Sequence, residues 1–251
     1  KQLAANADRL GRGENIEPLR EEGPTEIRES IQAFNRMHTR LDRFVQDRTR
    51  MLAAISHDLR TPITSLRLRS EFLADGEDKD RFQQTLQQME QMLAATLSFA
   101  REEGQQEATR ELDLVSLLES LCDDYADMGQ PVTCLAEGKQ VYACRANTLR
   151  RVLQNLIGNA IKYAGGAEVS LVRTESELLI LVCDRGPGIA EGQLEEVFKP
   201  FVRLDEARIT ESGSVGLGLA IARTLVHQHG GELSLHNRPE GGLEARISLP
   251  L

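Results

Sequence analysis

The chain contains no tryptophan, and aromatic residues make up only 4% of its 251 positions. With 40% hydrophobic residues it can still bury a sizeable core, but one built of Leu, Ile, Val and Ala. No excess of basic charge is present. The formal charge is -9, which excludes wholesale nucleic-acid binding of the kind that needs a basic face. The four cysteines, Cys122, Cys134, Cys144 and Cys183, form no CxxC pair and have no histidines at zinc-finger spacing. Neither a metal cluster nor a disulfide framework is indicated, and they read as small core residues in a reducing compartment. Long apolar runs are missing too. The longest, LLILVC at residues 178–183, falls far short of the roughly 18 residues a membrane span requires. The chain starts at Lys1 without a signal-like segment and is expected to be a soluble piece of something longer.

What is present begins with helical periodicity. After a connector holding Gly11, Gly13, Pro18, Gly23 and Pro24, apolar residues recur at Ile27, Ile31, Phe34, Met37 and Leu41, a narrow stripe suited to a coiled-coil seam. The stripe continues through Phe44, Met51, Leu52, Ile55 and Leu59, then past Pro62 to Ile63, Leu66 and Leu73, which predicts one long helix. The polar, Gly-containing stretch at 74–80 predicts a turn, and Phe82, Leu86, Met89, Leu93, Leu97 and Ala100 predict a second helix. Two thin seams cannot bury themselves in one hairpin, so a four-helix bundle made by two chains is expected.

Residues 101–111 are polar and read as a linker. Beyond them helices and short strands alternate, with hairpin signals around 167–183 and 232–250. This predicts an α/β sandwich, or α+β domain, paired mainly by hairpins.

Three segments there suit one kind of ligand. DRGPGI sets Asp184 at the end of an apolar strand, followed by Gly186 and Gly188. A carboxylate only accepts hydrogen bonds, so it suits the exocyclic amine of adenine and repels the oxygen of guanine. GSVGLGLAIA, from Gly213, places glycines at a helix start, where free N–H groups hold phosphates. It lacks the GK[ST] of a Walker loop. NLIGNAIKYA carries Asn155 and Asn159 one turn apart, with Lys162 a further turn on. Amide oxygens are hard ligands for Mg²⁺ held with a triphosphate, and the lysine neutralises phosphate. FKPFVRLD adds Phe198, Phe201 and Arg203 ahead of a segment with the composition of a lid. Singly, these motifs also read as a polar helix face, a turn between strands and helix packing.

Taken in order, SHDLRTPI, NLIGNAIKY, DRGPGI, FKPFVR and GSVGLGLAI resemble the H, N, G1, F and G2 boxes of two-component sensor histidine kinases. EPL and EIRESIQAFNRM resemble the second half of a HAMP relay module, on fewer residues. Val215 and Asn147 depart from the family pattern, which often has Ser or Thr and Asp there. The resemblance implies a HAMP segment at 1–47, a dimerisation and phosphotransfer hairpin at 48–105 and a Bergerat-type ATP-binding domain at 106–251. It implies a homodimer that phosphorylates His57 from ATP and passes the phosphoryl group to the receiver domain of a response regulator. It also implies the cytoplasmic portion of a bacterial inner-membrane protein, joined to the membrane only through an upstream segment. Carried over by residue, Asn159 is the main Mg²⁺ ligand with Asn155 assisting, Lys162 contacts phosphate, Tyr163 packs by the nucleotide and Asp184 reads adenine. Gly186, Gly188, Gly216, Leu217 and Gly218 shape the pocket, with Arg203 beside it.

Ile55 and Leu59 lie on the seam, so His57 is expected to face outward. Asp58 can take the ring proton during attack on the γ-phosphate. Thr61, one turn from His57, carries a hydroxyl that the family pattern links to phosphatase activity. Pro62 cannot donate to the carbonyl of Asp58 and is expected to bend the helix close to His57. A rival reading, an ATP-driven clamp of the Hsp90 or MutL type, shares the nucleotide site but gives no reason for His57 beside Asp58.

Overall fold

In the computed structural model, residues 6, 17–73, 76–102, 107–202 and 216–251 are described. They form two compact units, the second of which begins at Glu107.

The first unit is a helical hairpin of α1 (Thr25–Ser70) and α2 (Glu77–Glu102). Helix α1 runs through Pro62 without a break. It ends at Ser70, earlier than the expected Leu73, in a turn at Glu71 and Phe72. Helix α2 starts at Glu77, inside the stretch expected to be a turn. Glu77, Asp78 and Asp80 occupy its first turn, where carboxylates complement the positive end of the helix dipole. Acidic residues that suggested a loop are therefore a helix start.

The single expected seam of α1 is two faces. Ser56, Ile63 and Ser70 are buried at seven-residue intervals, as is Leu86 on α2. The small serines allow the two helices to approach closely. Met37, Leu41, Phe44, Met51, Ile55, Leu59 and Leu66 remain exposed, Met51 at 66%. That second face is apolar and has no partner among the described residues, as a helix with two neighbours in a four-helix bundle requires. Farther up, the Asn35 amide donates to the Leu19 carbonyl at 2.9 Å and accepts from its N–H at 3.0 Å. The connector at 17–22 is thereby tied back along α1.

The second unit is a two-layer α/β sandwich. Its elements are β1 (Arg110–Asp113), α3 (Leu114–Asp127), β2 (Val132–Cys134), β3 (Val141–Cys144), α4 (Ala146–Ala164), β4 (Ala167–Arg173), β5 (Glu177–Cys183), α5 (Gly218–Gln228), β6 (Glu232–Asn237) and β7 (Leu243–Pro250). Five strands form a sheet in the order β2-β4-β5-β7-β6, and β1 pairs with β3 apart from it. All neighbours in the main sheet are antiparallel except β2 and β4. The expected hairpins are β4–β5 and β6–β7, while β5 reaches β7 across the intervening α5 and β6. Strand β1 lies partly in the stretch expected to be a linker, because its four residues are too few to show alternation and its partner is distant in sequence. Along the sheet one buried row reads Val169, Val182, Ala245, Leu235 and the next Ile180, Ile247, Leu233. Leu114, Leu118, Leu121, Leu149, Leu153 and Ile157 from α3 and α4 are also fully buried. The core is aliphatic, as the composition demands. Burial pushes the Cys122 thiol up to about 12 and the Cys144 thiol up to about 11, and all four cysteines are free.

Candidate functional site

His57 and Asp58 lie on the outer surface of α1, their side chains 78% and 83% exposed. Nδ1 of His57 is 3.3 Å from Oδ1 of Asp58. A carboxylate only accepts, so Nδ1 carries the proton and donates. In the neutral ring, Nε2 then holds a free lone pair directed away from Asp58. Thr61 and Pro62 are exposed, and Thr61 shares the helical face of His57.

In the second unit the three expected motifs meet. A methyl group placed on Gly218, at the start of α5, would lie 3.2 Å from Oδ1 of Asn155 on α4. The Asn155 amide therefore abuts the glycine-rich helix start. At the other end of α4, a methyl group on Gly186 would lie 3.1 Å from the Ala164 Cβ and 3.4 Å from the Tyr163 carbonyl. Asn155 and Asn159 are half-buried on one face of α4. Lys162 stands 4.9 Å from the centroid of the exposed Tyr163 ring.

Asp184 follows directly on β5. Its Oδ1 accepts from Gly186 N at 2.8 Å and from Leu243 N at 3.0 Å. Two backbone donors thus fix one oxygen and leave Oδ2 as the acceptor available to a ligand. The segment beyond is anchored by Phe198, which is buried and has the Arg223 guanidinium of α5 4.5 Å over its ring. Arg223 also reaches Glu195 at 2.8 Å. Phe201 N donates to Gly216 O at 3.0 Å, and Phe201 has a positive φ of 67°. Leu217 is buried. Phe201 and Gly216 are thus held together. Arg203, Gly213 and Val215 lie outside the described residues.

The donor set fits a purine nucleotide: a carboxylate oxygen of Asp184 in a partly buried position, glycines where a side chain would intrude, and the two amides of α4 on one face. Among the described residues, no group of three or more His, Cys, Asp or Glu could hold a metal.

Comparison with known proteins gives the same pairing of parts. Residues 47–105 match the His Kinase A phospho-acceptor domain, and residues 144–251 match the histidine kinase-, DNA gyrase B- and HSP90-like ATPases. The chain belongs to the two-component sensor histidine kinases. It is 38% identical over 250 residues to sensor histidine kinase GtrS of Pseudomonas aeruginosa, covering 100% of this chain and 52% of that protein. It is 34% identical over 263 residues to sensor histidine kinase CpxA of Escherichia coli, covering 100% of this chain and 58% of the relative. The chain thus spans a little over half the length of these relatives. The fold resembles that of full-length ShkA, with a TM-score of 0.59 and 22% identity over 80% of this chain and 45% of that one. No helix among the described residues is long and apolar enough to cross a membrane.

One arrangement in this histidine kinase had no signal in the sequence. Glu107 accepts from Asn147 N at 2.9 Å, Thr148 N at 3.0 Å and Thr148 Oγ1 at 2.9 Å, capping α4 from 40 residues away. Burial alone raises its carboxyl, but these donors outweigh it and hold the group below its ordinary range. Beside it, His229 Nε2 accepts from Arg145 N at 3.1 Å while Nδ1 donates to Leu225 O at 2.9 Å. His229 must be neutral for both bonds, and burial pushes its pKa down, with the buried Arg145 adding to that and Glu107 opposing it. Its stabilising contribution is complete above the ordinary histidine pKa of about 6.5 and declines as the pH falls below it, because the unfolded chain binds a proton that the folded one resists. Glu107, held low, enters its own window only below the ordinary glutamate range. Unfolding midpoints should therefore fall between about pH 7.5 and about pH 5.5, less so in His229→Gln. Equal slopes for the two proteins would show that His229 is not the group responsible.

Proposed function

We propose that this region autophosphorylates His57 from ATP and transfers the phosphoryl group to an aspartate on a response-regulator receiver domain. The observation that carries the reading is the exposed His57–Asp58 pair on a phospho-acceptor hairpin, in one chain with a purine-nucleotide site. Nε2 attacks the γ-phosphorus, the bond to the β,γ-bridging oxygen breaks and ADP leaves. Bonding at Nε2 would leave the ring cationic, and the Nδ1 proton moves to Asp58, which keeps the phosphorylated ring neutral. Asn159, assisted by Asn155, would hold Mg²⁺, which would neutralise charge on the phosphates. Lys162 meets phosphate, Tyr163 packs by the nucleotide and Asp184 accepts from the adenine amine. Gly186, Gly188, Gly216, Leu217 and Gly218 leave room for the ligand, and Arg203 is a further nucleotide-binding residue. The ShkA neighbour was solved with AMPPNP, which supports a nucleotide at the equivalent domain.

The working form is a homodimer, supported by the unpartnered apolar face of α1. Residues 1–47 act as a HAMP relay, 48–105 as the phosphotransfer hairpin and 106–251 as the catalytic domain, downstream of a membrane-embedded sensor. The Asn35 clamp on Leu19 supports the relay assignment. Thr61, exposed one turn from His57, orients water on a phospho-regulator and makes the protein a phosphatase as well.

Incubation with γ-labelled ATP and Mg²⁺ should place an acid-labile, alkali-stable label on the protein, and His57→Gln should carry none. A folded protein that binds ATP and takes up no label excludes phosphotransfer and returns the ATP-driven clamp. Asp58→Asn should bind ATP as the parent does and lose at least about a hundredfold in labelling rate, the low end for a positioned base. Labelling at the parent rate would remove Asp58 from the mechanism.

A further inference from the structure

The end of β6 and the turn at 238–242 that follows it lie outside every motif in the chain, yet Asn237 and Arg238 there grip the Asp184 loop at both ends. At the far end, the Asn237 side chain makes two bonds to the backbone of one residue. Oδ1 accepts from Ile189 N at 2.9 Å and Nδ2 donates to Ile189 O at 2.6 Å. At the near end, Arg238 Nη1 donates to the Asp184 carbonyl at 3.2 Å, while Nη2 pairs with Glu240 at 2.7 Å. The strand that leaves the turn completes the grip: Asp184 N donates to Leu243 O at 2.9 Å, and Leu243 N donates to Asp184 Oδ1 at 3.0 Å. A methyl group on Gly188, with φ of 73°, would lie 2.7 Å from Asn237 Oδ1, so Asn237 packs directly on the loop.

We propose that Asn237 is a positioning residue for base recognition, holding residues 184–189 so that Oδ2 of Asp184 keeps one direction, with Arg238 as its counterpart at the loop start. The proposal rests on the ATP reading above. Pro187 fixes its own φ, but Gly186 and Gly188 on either side of it are free to turn, so the direction of the loop has to be held at its ends. Only a planar amide offers a donor and an acceptor side by side to match one residue's C=O and N–H. Leucine, serine or lysine at 237 cannot make that pair. A carboxylate whose direction wanders still attracts a purine, but it distinguishes the adenine amine from the guanine oxygen poorly.

The test measures dissociation constants for ATP and GTP on the full chain by displacement of a fluorescent nucleotide, beside KM and kcat for labelling of His57. Asn237→Ala should weaken ATP binding about tenfold and lower the ATP to GTP preference by a similar factor. Its rate at saturating ATP should stay within about twofold of the parent. Asn237→Asp keeps the acceptor for Ile189 N and loses the donor, so it should fall between parent and alanine. Arg238→Gln should shift the same preference in the same direction, which covers the case of an alanine variant that does not fold. An unchanged ATP to GTP preference in Asn237→Asp and Arg238→Gln overturns the proposal. So does a loss in Asn237→Ala that strikes affinity and kcat alike, in step with its unfolding midpoint. A parent protein that binds no ATP overturns the nucleotide reading itself and is recognised before any variant is compared.

Discussion

Asp184→Asn should fold like the parent and bind ATP about a hundredfold more weakly. The two backbone donors that fix Oδ1, from Gly186 and Leu243, find an acceptor equally well in the asparagine carbonyl. The change falls on the other side of the group, where an NH₂ replaces Oδ2 and confronts the adenine amine with a second donor. A buried donor left without an acceptor costs about 1–3 kcal/mol, and the lost bond to a charged acceptor adds to it. GTP, which offers an oxygen there, should lose far less or gain. Equal losses for both nucleotides in a folded protein would show that Asp184 does not read the base.

The second large effect is on stability. Gly242 has φ of 99°, and a methyl group there would overlap the Asp184 carbonyl. Neither partner can give way, since that carbonyl also receives Arg238 and its residue is paired to Leu243. Gly242→Ala should cost about 4 kcal/mol or more, a fall of roughly 10–15 °C in the unfolding midpoint of the second unit. Gly241 is the control. Its φ is 93°, but nothing stands within 4 Å of the added methyl, so Gly241→Ala should cost only about 1–2 kcal/mol of backbone strain. Similar midpoints for the two variants would mean that the turn yields where its packing says it cannot.

Periodicity made both helices of the hairpin legible, along with most of the later strands, because each of these buries a face that repeats within its own segment. The glycine and asparagine boxes were legible by composition, since chemistry at a phosphate site restricts residue type. What the sequence concealed has partners far along the chain. Four residues of β1 show no alternation, and the burial of Ser56 and Ser70 depends on α2. Glu107 looks like one more linker charge until α4 lies beside it. Asn237 is an ordinary turn residue until Ile189, 48 positions earlier, supplies both its bonds. The acidic start of α2 misled for a different reason: carboxylates favour turns and first helical turns alike.

The exposed face of α1 also bears on how this protein is handled. If a second copy covers that face, as in the proposed homodimer, the stability of the hairpin depends on protein concentration. Its unfolding midpoint should rise with protein concentration while that of the sandwich unit stays fixed. Dilution then acts selectively on the segment that carries His57, leaving a nucleotide-binding unit intact beside a loosened phospho-acceptor.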